Sequence, residues 1–202
     1  MSPQGASAET GARIGPNAII RTAEALAAQA GLDTCRRVFD RAGLGAYLTT
    51  PPAAMVAEDE VVALHRAVRA ELAPETADAV MREAGARTAR YLLAHRIPQP
   101  AQALLRALPP RAASRLLLGL IARHAWTFAG SADLRLAHGR PARVHFTGSP
   151  LARVPAAAAP VCGFYAGTFE TLFRHLVHAD AVAHETTCAA TGDDVCTLAL
   201  SW

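Results

Sequence analysis

The hydrophobic pattern of this 202-residue chain changes period once, near Trp126, and that change limits the fold more than any other feature. Before it, apolar residues recur every three to four positions, the spacing of helices buried along one face. Beyond it, short runs rich in Thr, Phe, Leu and Val alternate with turn residues, as strands do. The first part predicts a helix over 16–31 with the stripe Ile19, Ala23, Leu26, Ala27 and Ala30, and a second over 33–43 with Val38 and Phe39 inside. Further helices are expected over 58–72, 74–95, 102–108 and 111–124. His65, His95 and His124 each fall on the apolar side. The second part predicts strands over 127–136 and 143–147, a Pro/Ala loop over 149–160, a helix over 162–178, and strands over 181–187 and 195–202. The expected fold class is α+β: a helical N-terminal half followed by a small antiparallel sheet packed on helices.

Composition narrows the functional classes. Hydrophobic residues make up 51% of the chain and charged residues 18%, enough for a sizeable core. All 20 basic residues are Arg, which excludes a Schiff-base lysine and a phosphate-loop lysine. The net charge is only +3 and no run of five basic residues occurs, so no nucleic-acid partner is expected. The longest compact apolar run, Leu116 to Ala122, falls far short of the roughly 20 residues of a membrane span. Residues 1–15 are small and polar, have no signal-peptide core, and are expected to be disordered. A cytoplasmic location follows, with cysteines as thiols or metal ligands rather than disulfides. Gly43-Leu44-Gly45 lacks the third glycine and the preceding strand of a dinucleotide loop.

Two constellations carry chemistry. Cys162, Glu185, Cys188 and Cys196 bring three of the four cysteines into the last quarter of the chain. Glu185 and Cys188 lie three apart, Cys188 and Cys196 flank a Gly-Asp turn, and Cys162 opens a helix. A hairpin packed on that helix could gather them into the tetrahedral set that zinc takes. By spacing alone they are equally well small buried hydrophobes. The second set is Tyr91, His95, His124 and Trp126. Aromatic faces and a free imidazole would suit a large flat ligand with a metal centre. His175 and His178 lie off the inner stripe of their helix and read as surface residues, and Asp193-Asp194 reads as a solvated turn. No G-x-S-x-G or H-E-x-x-H is present, and no catalytic residue is assigned.

The C-terminal residues resemble the 4-vinyl reductase domain family. The resemblance rests on the helix opening Cys162-Gly163-Phe164-Tyr165-Ala166-Gly167 and on E-x-x-C-x-x-x-G-x-x-x-C from Glu185 through Gly192 to Cys196. It also rests on the Gly-centred helix from Met81 to Leu92. It implies a ligand-binding domain over 80–202 behind a helical extension over 16–79. In the family's aromatic-sensing activators the matching Cys, Glu, Cys and Cys bind zinc, which implies a closed structural zinc site here. Other members use the fold to dimerise or to hold an acyl chain. The stretch from Ile14 to Leu26, followed by this domain, is similar to members acting in bacteriochlorophyll biosynthesis. That likeness implies binding of a Mg-tetrapyrrole, of Mg-protoporphyrin or protochlorophyllide type, and its delivery to enzymes such as the magnesium chelatase. The location implied is cytoplasmic, peripheral to the photosynthetic membrane. A vinyl reductase acting on a divinyl chlorophyllide, which would need a hydride source, and a homodimeric adaptor for a chelatase or synthase subunit are the alternatives.

Overall fold

A computed structural model describes residues 11–202. The expected disorder of 1–15 therefore lies outside the described residues up to residue 10. Beyond it, Arg13–Ile14 form a short strand, β1, paired antiparallel with β2, Val56–Ala57. Between them run α1, Asn17–Ala30, and α2, Leu32–Arg41. Three helices follow in close order: α3, Glu58–Glu71; α4, Pro74–His95; and α5, Gln99–Ala107. Proline stands in the first turn of α4, where its missing N–H costs nothing. The Glu60 carboxylate starts α3 by accepting the Ala57 N–H at 3.1 Å. Helix α6, Pro110–Arg123, completes the helical part.

The second half is a four-stranded antiparallel sheet with one helix on it. Strands β3 (Asp133–Ala137), β4 (Ala142–Thr147), β5 (Val182–Thr187) and β6 (Cys196–Ser201) lie in the order β3-β4-β6-β5. Helix α7, Gly163–Leu176, separates β4 from β5 in sequence and buries Phe164, Tyr165, Phe169, Leu172 and Phe173. Ala142, Val144 and Phe146 alternate inward along β4, and the Phe146 ring stacks on Tyr165 at 4.4 Å with planes 2° apart. The α+β expectation holds. The strand expected over 127–136 is shorter, because Ala125–Thr127 form a 3₁₀ turn and Gly130 has φ +60.

Helices α4 and α7 meet backbone to backbone. A Cβ on Gly85 would lie 2.0 Å from the Phe164 carbonyl oxygen, and one on Gly167 would lie 2.0 Å from that of Arg82. The Thr168 hydroxyl spans the crossing, 3.1 Å from the Gly85 carbonyl and 2.8 Å from that of Phe164. This contact rotates the buried face of α4 away from the expectation. Beyond Thr88 the inward positions are Ala89 and Leu93, continuing the row of Met81 and Gly85. Tyr91 is only half-buried and His95 is exposed. Residue 80, where the ligand-binding domain was expected to begin, lies inside α4. One contiguous core runs from Ile14 to Leu200.

Of the three apolar-face histidines, only His65 is buried, with its ring edge toward Phe164 at a centroid distance of 6.1 Å. Neither of its ring nitrogens finds a partner among the described residues. Burial, aided by the Arg69 charge, lowers its pKa from 6.5 to about 3.

Two outcomes are expected. Gly85→Ala should lower unfolding stability by about 3 kcal/mol, the upper part of the overpacking range, because the neighbour is backbone. Gly119→Ala, with nothing within 4 Å, should raise it by up to about 1 kcal/mol; urea titrations decide both. As pH falls below 6.5 the unfolded chain takes up the His65 proton before the folded one does. Stability is then lost progressively between pH 6.5 and about 3. By pH 5 the loss is about 2 kcal/mol, and His65→Leu should remove that part of the acid limb.

Candidate metal centre

Cys162, Glu185, Cys188 and Cys196 come together, each offering one ligand atom, with those atoms all within 4.8 Å of one another. Each arrives on a different piece of local structure. Cys162 precedes the first turn of α7, Glu185 lies in β5, Cys188 follows β5, and Cys196 begins β6. A β-bulge between Glu185 and Thr187 shifts the register just before the hairpin. The turn itself depends on Gly192 at φ +104, and on Asp193, whose carboxylate accepts the Cys188 N–H at 2.8 Å. Asp193 was expected to be merely solvated; instead it holds Cys188 in place.

The arrangement fits a metal ion. Thiolates about 2.3 Å from one tetrahedral ion stand about 3.8 Å apart; the Cys188 and Cys196 sulfurs lie at 4.0 Å, and both are free thiols. One Glu185 oxygen accepts the Cys162 N–H at 2.7 Å, which fixes the carboxylate at the start of α7. The other, Oε1, is buried with no partner among the described residues. An orphaned carboxylate oxygen among three buried sulfurs is an unmet donor set. Protein donors fill all four positions, as in a closed, structural site.

The four groups titrate as a set. Contacts with Cys162 and Cys188 hold the Cys196 thiol down at about 4, and the Ala189 N–H points at its sulfur from 3.3 Å. The same sulfur contacts, with burial behind them, push Cys162 well above its ordinary value. Burial, then Cys188, raises Glu185 to about 8. An entering cation therefore displaces protons from Cys162 and Glu185 at neutral pH. Arg69 completes the corner. Its Nη2 donates to the Val161 carbonyl at 2.5 Å, and the charges of Cys162, Glu185 and Cys188 oppose the effect of burial on its guanidinium. The signal for it was an arginine one turn after His65, at the margin of an apolar stripe.

The second constellation does not assemble as one group. The Tyr91 and His95 rings are 4.8 Å apart, and the Arg21 guanidinium lies 4.8 Å over Tyr91. They line a niche of about 290 Å³ with Arg21, Glu24, Arg87 and Arg90. The niche is charged, where an apolar cavity was expected. His124 and Trp126 do not line it. The chain leaves helical geometry at His124, after the last residue of α6, so the side chain turns outward and Nδ1 bonds the Leu120 carbonyl at 2.8 Å. Trp126 is 64% exposed.

Comparison with known proteins bears on both sites. Residues 143–201 match the 4-vinyl reductase domain, the family whose resemblance was drawn from the cysteine motif. The chain is 40% identical to the bacteriochlorophyll synthase 23 kDa chain of Cereibacter sphaeroides, over 91% of this chain and 88% of that one. It is 37% identical to the protein of the same name from Rhodobacter capsulatus, over 93% and 86%. Among solved structures, an H-NOX protein from S. oneidensis in the Fe(II)NO ligation state superposes with a TM-score of 0.53 at 12% identity, over 93% and 98%. The Fe(II) unliganded H-NOX protein from K. algicida reaches 0.59 at 9%, over 93% and 96%. At such identities the likeness concerns the fold alone. The identity to the two 23 kDa chains spans nearly the whole of each, and the chain belongs to their family, with a 4-vinyl reductase domain at its C-terminal end.

Proposed function

We propose that this chain is an accessory protein of bacteriochlorophyll biosynthesis that binds a Mg-tetrapyrrole intermediate and delivers it to pathway enzymes such as the magnesium chelatase. The observation that carries the reading is the near full-length identity to two bacteriochlorophyll synthase 23 kDa chains. The niche on α1 and α4 supports it. An exposed imidazole at His95 can meet an axial position of a chelated metal, and Tyr91 offers a ring for stacking. Arg21, Arg87 and Arg90 can meet carboxylates on the macrocycle edge. Tyr91 and His95 are the pigment contacts in this reading; His124 and Trp126 are not. No described helix is long and apolar enough to cross a membrane. The location that goes with the role is the cytoplasm, with attachment at the periphery of the photosynthetic membrane.

The metal in this reading is a structural zinc. Three sulfurs and one carboxylate oxygen suit zinc, and a closed set leaves no position for substrate. Its ligands pin the start of α7 to the β5–β6 hairpin, far in role from the pigment niche.

Titration with Mg-protoporphyrin monomethyl ester or protochlorophyllide should shift the Soret band at micromolar pigment, and His95→Ala should weaken binding at least about tenfold. An unshifted band would overturn the carrier role. Sustained conversion of a divinyl substrate by the purified protein with NADPH would replace it with a reductase. Metal analysis should find one zinc per chain. Glu185→Gln and Cys188→Ser should each lower zinc affinity by at least about a hundredfold in competition with a chromophoric chelator. Zinc uptake at pH 7 should release protons into a weakly buffered indicator solution.

A further inference from the structure

Residues 84–132 contain seven arginines and no acidic residue. The structure sets part of this stretch on one face. Along α6 the exposed positions Arg111, Arg115, Leu116, Gly119 and Arg123 follow one another at helical spacing, forming an outer strip. Trp126 stands at its end, 64% exposed. Leu116 lies within it at 39%, and Leu104 on the neighbouring α5 is 55% exposed. At the other end the β3–β4 turn closes on the strip. Arg111, Arg115, His138 and Arg140 surround a niche of about 220 Å³ that has no acidic residue in its lining.

This face differs from the rest of the surface. Elsewhere exposed arginines are matched, as in Arg37 with Glu71 at 2.6 Å and Arg153 with Glu58 at 2.6 Å. Arg111, Arg115 and Arg123 have no carboxylate within 4.0 Å among the described residues, although Arg111 and Arg115 are one turn apart and repel. Large apolar side chains exposed between unmatched cations need a partner that is anionic and apolar at once. Nucleic-acid phosphate would answer the arginines and leave Leu104 and Leu116 in water. A bilayer of anionic lipids answers both. Phosphates take guanidinium forks, the indole sits at the headgroup level, and leucines reach the acyl boundary.

We propose that the outer face of α5 and α6, with Trp126 and the β3–β4 turn, docks on an anionic lipid bilayer, and that the niche beside Arg111, Arg115 and Arg140 takes a lipid phosphate. The proposal deepens the peripheral location in the reading above and rests on it for where the protein works, but not on pigment binding. The test is co-sedimentation of the full-length, pigment-free protein with phosphatidylcholine vesicles, with and without phosphatidylglycerol. Binding is expected only with phosphatidylglycerol. Replacing Arg111, Arg115 and Arg123 by Gln together should weaken it on the order of a hundredfold. Replacing Arg36, Arg37 and Arg41 by Gln, the same change in charge on another face, should leave it within about threefold. Brominated lipid should quench tryptophan emission in the natural chain and lose most of that effect in Trp126→Phe. The proposal is overturned if phosphatidylglycerol vesicles bind nothing, or if both triple variants weaken binding equally. It is also overturned if quenching is unchanged in Trp126→Phe, or if the protein is retained by a polyanion such as heparin and not by vesicles. A failed pigment titration with intact vesicle binding would sink the carrier role alone, and the reverse result would sink this one alone.

Discussion

At the crossing of α4 and α7 the two main chains touch, because neither helix carries a side chain at Gly85 or Gly167. From that contact the positions of the other parts follow. One side of α4 packs on α1, and α7 lies against the sheet with Tyr165 flat on Phe146. The start of α7 brings Cys162 to the hairpin that carries the other three ligand atoms. Metal–ligand distances tolerate shifts of only about 0.2 Å. The separation of two helix backbones therefore decides whether three sulfurs and an oxygen can share one ion.

The electrostatics of the corner follow from the same closeness. Burial and mutual contact keep Cys162 and Glu185 protonated, while Cys196 gives up its proton readily. Three thiolates and a carboxylate around a divalent cation leave a net charge of about −2, and Arg69 is the guanidinium that faces it. A centre saturated by protein donors serves architecture. Molecules from outside are met at exposed faces, where His95, Tyr91 and the unmatched arginines are found.

Much of this was legible in the residues. Helical period located each long helix, and the change of texture after Trp126 located the sheet. The ligand quartet was legible because a motif fixes which residues can converge, even where spacing cannot say how. Periodicity failed where it ranked positions by size and hydropathy. It chose Tyr91 and His95 for the interior and passed over Gly85 and Ala89, whose smallness lets α7 approach. His124 was misplaced because the helix ends one residue before it. Asp193 and Arg69 were missed because their partners lie across a turn or on another element, which no local pattern records. The absence of acids over 84–132 was open to inspection. Its meaning needed the exposure of the surrounding leucines and tryptophan.

The two glycines that touch lie about 80 residues apart in the chain, so their contact closes a long loop, and closure entropy rises only slowly with length. That loop holds α5, α6 and the β3–β4 hairpin. Once its ends are clamped, the excursion between them can lengthen, shorten or change its charge at little thermodynamic cost. Selection is then free to rework the arginine-rich face while the cysteine corner stays as it is, and the two can diverge at different rates.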